Sequence, residues 1–144
     1  MKLDNPLLLD NQLCFALYST SLAMTQLYKE PLSEIGLTYP QYTIMLILWE
    51  QDGVSLKHIG EALGQKSGAL TPVIKRMEAD GLVKRLRGVE DDRSLSIALT
   101  EKGQKLREKG LIVNRCVIEA CGMDLDEIQA LQKQLVALKK KLIK

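Results

Sequence analysis

Few side chains in this sequence have reactive potential. Cys14, Cys116 and Cys121 are the only thiols, and His58 is the only imidazole. No Cys-x2-Cys, His-Glu-x2-His or phosphate-loop pattern occurs, and Cys116-x4-Cys121 is not a zinc spacing. An enzyme, for instance a thiol peroxidase, is the weakest reading; no cofactor or metal is expected. A cysteine on an apolar helix face is ordinarily a buried, inert hydrophobe. Cys14 departs from that in two ways. It falls near the start of a helical pattern, where the helix dipole favours a thiolate. Tyr18 follows at i+4, on the same face, where its hydroxyl can donate to that thiolate. A thiolate so placed attacks a peroxide oxygen and becomes a sulfenic acid.

A second chemistry lies in the distribution of charge. The formal net charge is only +2, which announces no partner by itself. Between residues 66 and 87, however, Lys66, Lys75, Arg76, Lys84, Arg85 and Arg87 stand against only Glu78 and Asp80. A local basic patch attracts phosphate even when the whole molecule is nearly neutral. The lysines at 139, 140, 141 and 144 suit the negative end of a helix dipole better than a binding tail.

The secondary structure that holds these groups in place follows from hydrophobic period. Leu9, Leu13, Ala16, Leu17, Met24 and Leu27 keep helical spacing from about residue 8 to 29, with Pro31 and Gly36 as breakers. Thr38-Tyr39-Pro40 starts a second helix, which Asp52-Gly53 ends. Ser55 caps a short helix over 56–63, stopped by Gly64. The next helix reaches Ala79 and stops at Asp80-Gly81. Its N-cap is either Ser67 or Thr71, the latter with Pro72 at the first helical position. From Leu82 the period falls to two, and VKRLR and SLSIAL, joined by GVEDD, read as a hairpin. Thr100 caps a helix from Glu101 to about Ala120. Asp124 and Glu127 form a capping box for a last helix, along which Leu125, Ile128, Leu131, Leu135, Leu138 and Leu142 make one stripe.

A short helix, a tight turn, a second helix and a two-stranded ribbon is the winged helix-turn-helix order. The expected fold is mainly α with a small β-hairpin, in a single domain over 1–144 with the winged helix-turn-helix at 38–100. Helices over 1–30 and 101–144 lie outside that module and are expected to pack on each other and on a second copy, making a homodimer. A chain of 144 residues buries a real core without staples, and three cysteines are too few for a disulfide framework. No apolar run approaches the roughly 18–20 residues that cross a bilayer. The opening MKLDNPLLLDNQLC does not have a signal-peptide pattern. A cytoplasmic protein with no membrane partner is expected.

Between Ser67 and Ala79, Leu70, Val73, Ile74 and Met77 fall at i, i+3, i+4 and i+7 and face the core. Ser67, Ala69, Thr71, Pro72, Lys75 and Arg76 are left outward or flanking. One helix fits a major groove, and small polar residues at its N-terminal end approach base edges. Gly68 permits close backbone approach, while Lys66, Lys75 and Arg76 neutralise phosphates, so affinity should fall with salt. Lys84, Arg85 and Arg87 lie on the first hairpin strand, and Arg93 at the tip suits a narrow minor groove. Asp91 is placed to brace the Arg93 guanidinium. The partner so indicated is double-stranded DNA.

TPVIKRMEADGLVKR at 71–85, EDDRS at 90–94 and LTEKG at 99–103 resemble the MarR family of bacterial regulators, a likeness that covers nearly the whole chain. It implies a symmetric dimer with its interface built from the chain ends and near-palindromic operator DNA. Ser67 to Arg76 then correspond to the major-groove helix, and Asp91, Arg93 and Ser94 to the wing-tip pattern. NQLCFALY at 11–18 and LTYPQY at 37–42 resemble, more narrowly, the organic hydroperoxide resistance regulators (the OhrR branch). There the N-terminal cysteine senses organic hydroperoxides, and its oxidation releases DNA. Carried over, the sensor is Cys14 and its tyrosine partners are Tyr18, Tyr28 and Tyr39. Along an unbroken helix Tyr28 lies about 21 Å from its own Cys14, so the pairing makes sense across a dimer with antiparallel first helices. Two-cysteine members close a disulfide across subunits, to a cysteine in the helix after the wing. By spacing from LTEKG that position falls near Glu119. Cys116 is on roughly the same face and is slightly favoured. Cys121 is on nearly the opposite face unless the helix ends at Gly122, and a low-molecular-weight thiol is a third way to cap Cys14. The rival within the family is a repressor released by a small aromatic ligand rather than by thiol oxidation.

Overall fold

The computed structural model describes residues 4–87 and 95–143. Among them the order is α1 (Leu13–Glu34), α2 (Tyr39–Glu50), β1 (Val54–Ser55), α3 (Leu56–Leu63), α4 (Ser67–Ala79), β2 (Val83–Arg87), β3 (Leu95–Leu99), α5 (Glu101–Lys105), α6 (Arg107–Cys121) and α7 (Leu125–Leu142). None of these helices is long and apolar enough to cross a membrane.

Local chemistry sets several boundaries as expected. Thr38 caps α2 in a full capping box: its hydroxyl accepts from Gln41 N at 3.3 Å, and its own N–H donates to Gln41 Oε1 at 3.1 Å. Asp124 and Glu127 do the same for α7. Ser55 caps α3, and Gly64, at φ 69°, ends it in the left-handed conformation that glycine favours.

Four expectations need correction. The first helix neither starts near residue 8 nor breaks at Pro31. Residues 9–11 form a separate 3-10 turn, and α1 runs through Pro31 to Glu34. Proline costs that helix a hydrogen bond, but Leu32 in its last turn is 1% exposed and holds the segment in the core. The true stop is Gly36 at φ 75°, where Leu37 N–H reaches back to Leu32 O at 3.0 Å. Neither Ser67 nor Thr71 is the N-cap of α4: Lys66 holds that position without a side-chain bond, and Pro72 lies inside the helix. The hairpin is two strands of a three-stranded antiparallel sheet in the order β1-β3-β2. Val54 pairs with Ile97 and Ser55 with Ser96, and a strand of two residues is too short to show a period. The helix expected over 101–120 is two, α5 and α6, separated at Leu106. Trp49 Nε1 donates at 3.0 Å to Gly103 O, the carbonyl four residues before Arg107, and a side chain inserted there is a recognised cause of a helix break.

The core sits between α2, α3, α4 and the sheet. Tyr42, Ile44, Met45, Ile59, Met77 and Ile97 are at most 1% exposed. Leu70, Ile74 and Met77 of α4 are buried as their spacing requires, and Val73 is half-buried. The flanking helices pack on each other as expected, but through α1 and α6 rather than through α7. Contacts of α1 run chiefly to α2 and α6, while α7 buries no residue and leaves Leu125, Leu131, Leu135, Val136 and Leu142 exposed.

Gly103 is where α5 packs against Leu82, just before β2, and Leu99 of β3. A methyl group there would run into the Leu82 carbonyl oxygen and lie 3.2 Å from Leu99 Cδ2. Overpacking against fixed backbone costs typically about 1–3 kcal/mol. Gly103→Ala is expected to lower stability by about that much, read as a reduced urea midpoint at fixed protein concentration. An unchanged midpoint would mean that α5 can move away freely.

Candidate thiol site and nucleic-acid interface

Cys14 is exposed and occupies the first turn of α1. Tyr18, one turn later, is 63% exposed. The helix continues without interruption past Tyr28, so the fourteen intervening steps put Tyr28 about 21 Å from Cys14 of the same chain. The tyrosines expected to serve one thiol are thus divided. Tyr18 stays with Cys14, while Tyr28 and Tyr39 meet at the far end of α1, ring centroids 5.0 Å apart at 62°.

The far end is an aromatic cluster. Tyr42, 1% exposed, lies 5.7 Å from Tyr28, and Trp49 lies 6.3 Å beyond it. Neither was among the expected site residues, although Tyr39, Tyr42 and Trp49 fall at i, i+3 and i+10 along one helix. A cavity of about 550 Å³ opens beside Tyr28, Lys29, Leu32, Leu37 and Tyr39. Burial, with smaller contributions from Tyr39, Tyr42 and Cys121, pushes the Tyr28 phenol up to about 12. Burial and Tyr39 raise Tyr42 as well. Tyr28 therefore keeps its proton throughout the physiological range and remains a hydrogen-bond donor.

The two later cysteines face different surroundings. Cys121, half-buried, closes α6 immediately before Gly122, whose φ of 68° ends the helix. It is near enough to Tyr28 to raise that phenol. Cys116, exposed, lines a separate groove with Glu30, Glu34, Lys109 and Ile112. No three of the described His, Cys, Asp or Glu residues gather closely enough to hold a metal ion.

The basic surface lies on the face of α4 opposite its buried one. Lys66, Ser67, Gly68, Pro72, Lys75 and Arg76 are exposed, and Thr71 is half-buried with its hydroxyl donating to Ser67 O at 2.9 Å. A methyl at Gly68 would meet nothing within 4 Å, so its bareness serves no packing inside this chain. Two of the arginines have acidic neighbours. Arg76 Nε is 3.5 Å from Asp80 Oδ2. Arg85 Nε donates to Glu78 Oε1 at 3.1 Å, and that bond holds the Glu78 carboxyl below its usual range. Exposed pairs of this kind contribute little stability, so a phosphate can displace them. Lys84 and Arg87 are exposed on β2. Asp91, Arg93 and Ser94 lie outside the described residues.

The winged order of elements and the exposed basic helix have counterparts. The profile of the SarA/Rot transcriptional regulators matches residues 26–109. The chain is 45% identical to TtmR, an HTH-type transcriptional regulator of Methylorubrum extorquens, over 96% of this chain and 71% of that protein. It is 42% identical to the organic hydroperoxide resistance transcriptional regulator of Bacillus subtilis, over 90% and 88% of the two chains. AbfR of Staphylococcus epidermidis in its reduced, DNA-bound structure is 39% identical and superposes with a TM-score of 0.78, covering 94% of this chain and 95% of its own. Disulfide-formed AbfR, at 38% identity, superposes with a TM-score of 0.64 over 93% and 89%. Identity at this level across almost the full length, on a shared three-stranded winged fold, assigns the family: the chain belongs to the MarR-type winged-helix transcriptional regulators, SarA/Rot and the organic hydroperoxide resistance branch among them.

Proposed function

We propose that this regulator is a homodimeric repressor that holds near-palindromic double-stranded operator DNA and releases it when an organic hydroperoxide oxidises Cys14. The observation that carries the reading is the unbroken α1. It separates an exposed thiol from a Tyr28–Tyr39 pair by about 21 Å, so both ends of the site meet only when a second copy lies antiparallel. Tyr28, held protonated, then donates to the thiolate of the partner's Cys14, with Tyr39 beside it and the adjoining cavity admitting an apolar peroxide. The DNA reader is α4, with Ser67, Gly68, Thr71 and Pro72 toward base edges and Lys66, Lys75 and Arg76 toward phosphate. Arg85, Arg87, Asp91, Arg93 and Ser94 complete it from the wing. It works where bacterial DNA is, in the cytoplasm.

The chemistry balances without a cofactor. The Cys14 thiolate attacks the distal peroxide oxygen, the O–O bond breaks, and the alkoxide leaves and takes a proton to become the alcohol. The sulfenic acid that remains is attacked by a second thiolate; an S–S bond forms and hydroxide leaves, to be protonated to water. Cys121 is the better second thiol. It ends α6 at the Gly122 stop and contributes to raising the Tyr28 phenol, which the partner's Cys14 would approach, whereas Cys116 opens into a different groove. Closing the bond requires Cα atoms within about 7 Å, which displaces α1 of one chain against α6 of the other. Half-site spacing on DNA is fixed by the helical repeat, so misplaced readers lose both half-sites together. AbfR is known both reduced on DNA and disulfide-formed, which supports such a cycle here.

One equivalent of cumene hydroperoxide, followed by mass spectrometry of the unreduced protein beside a gel shift, tests this. The expected product is a peptide joining Cys14 to Cys121, appearing as DNA is released. An unreacted Cys14, or an oxidised protein that still binds, overturns it. A second reading, release by a small aromatic ligand, is favoured by the cavity beside Tyr28 and Lys29. It predicts that a Cys14→Ser variant still lets go of DNA when such a ligand is added.

A further inference from the structure

The thiol chemistry makes no use of the tryptophan that adjoins the tyrosine cluster. Trp49 is the only tryptophan in the sequence, and it stands between the tyrosine cluster and the helices that carry the DNA reader. We propose that Trp49 is the positioning residue through which the state of the Tyr28–Tyr39 site reaches α4. The inference rests on the thiol-switch reading and adds the route.

Each step of the route is a contact. Tyr28 packs on Tyr42 at 5.7 Å and 45°, and Tyr42 packs edge-on against Trp49 at 6.3 Å and 72°. At 1% exposure Tyr42 has no solvent to swing into, so a displaced Tyr28 ring must move it or be blocked. The indole is gripped by two helices. Its Nε1 donates at 3.0 Å to Gly103 O in α5. Its six-membered ring fills the space beside Gly110 in α6, where a methyl group would sit 2.7 and 2.8 Å from Cζ3 and Cη2. A glycine there is what lets the ring come so close.

Beyond the indole, α5 is strapped to the end of the reading helix. Lys102 Nζ donates at 2.9 Å to the carbonyl of Asp80, the C-cap of α4. Thr100 Oγ1 donates at 2.6 Å to Gly81 O, and Thr100 N–H donates at 3.1 Å to Leu82 O. A shift of the Trp49–Gly103 bond therefore bears on the corner between α4 and β2. Close-packed rings exchange between discrete arrangements rather than deform smoothly, which is what a switch requires. A contiguous path alone does not show coupling, so the test must read coupling itself.

Two measurements do that. The emission of an indole responds to the polarity and hydrogen bonding around it, and the sole tryptophan reports on itself. In the wild type, cumene hydroperoxide should shift Trp49 emission at the same rate as DNA is released, with no shift in Cys14→Ser. In Trp49→Phe the ring remains but the Nε1 donor is gone. That variant should bind operator DNA when reduced and be oxidised at Cys14 to the wild-type extent by mass spectrometry. Its oxidation-linked loss of DNA affinity should be at least about tenfold smaller, within the range of measured allosteric couplings. The inference fails if the wild type releases DNA with its emission unchanged, or if Trp49→Phe releases DNA as completely as the wild type. Should Trp49→Phe not fold, the wild-type emission arm decides alone. If hydroperoxide neither oxidises Cys14 nor releases DNA in the wild type, the thiol-switch reading itself falls, and this inference with it.

Discussion

Cys14→Ser is expected to keep the affinity of the reduced protein for its operator and to lose the whole response to hydroperoxide. Serine is nearly isosteric with cysteine, the side chain is exposed in the first turn of α1, and no contact of the core or of α4 depends on it. Its hydroxyl is no nucleophile toward a peroxide at neutral pH. The wild type, by contrast, has a specific affinity to lose. Specific sites are bound about 10³–10⁷-fold more tightly than non-specific DNA, and a dimer whose readers no longer match the half-site spacing falls back toward the lower level. Anisotropy titrations with and without cumene hydroperoxide should show a loss on the order of 10³-fold or more for the wild type and none for Cys14→Ser. The other two thiols separate the route. Cys121→Ser should stall at the sulfenic acid and, with excess peroxide, pass to a sulfinic acid that a dithiol cannot reduce. Cys116→Ser should behave as wild type. A crosslink from Cys14 to Cys116 in the wild type would reverse that assignment.

Where an element depends on its own neighbours in sequence, the sequence was a sufficient guide. Thr38, Pro40 and Gln41 specify the start of α2, and Asp124 with Glu127 specifies that of α7, because a cap is satisfied within one turn. The buried face of α4 could be read from the spacing of Leu70, Ile74 and Met77. What stayed hidden was decided at long range. Pro31 sits inside α1 because Leu32 is anchored by other helices, and β1 exists only because β3 offers an edge to two residues. The break at Leu106 depends on an indole 54 residues away in sequence. In the site, Tyr28 and Tyr39 were identified by family likeness rather than by any local pattern. Their contact follows from the turn at Gly36 that folds α2 back along α1. The proposed preference for Cys121 over Cys116 turns on the same kind of detail, a helix stop at Gly122, which the sequence offers only as a condition. Arg76 with Asp80 is an i,i+4 pair visible in the sequence; Arg85 with Glu78 bridges two elements and was not.

Leu135→Asp should dissociate the protein and with it abolish specific DNA binding. None of the 18 residues of α7 is fully buried within the protomer, and an isolated helix near that length is marginal in water. Its capping box and the lysines at its C-terminal end, favourable to the helix dipole, contribute too little to hold it alone. The stripe through Leu131, Leu135 and Leu142, 45%, 40% and 69% exposed, must be covered, and the proposed dimer supplies a second copy to cover it. Burying one leucine is worth about 1.5–3 kcal/mol; twofold symmetry counts the loss twice, and the new carboxylate must also be desolvated. Sedimentation at micromolar concentration should show a monomer, with circular dichroism retaining the helix signal of the winged module, whose buried core includes no residue of α7. Each monomer then grips a single half-site. Losing the second should take operator affinity down to the non-specific level at physiological salt, steeply salt-dependent because phosphate contacts dominate it. A Leu135→Asp protein that remains dimeric and binds its operator fully would mean that the stripe of α7 faces water in the working molecule. The two copies would then have to meet through α1 alone.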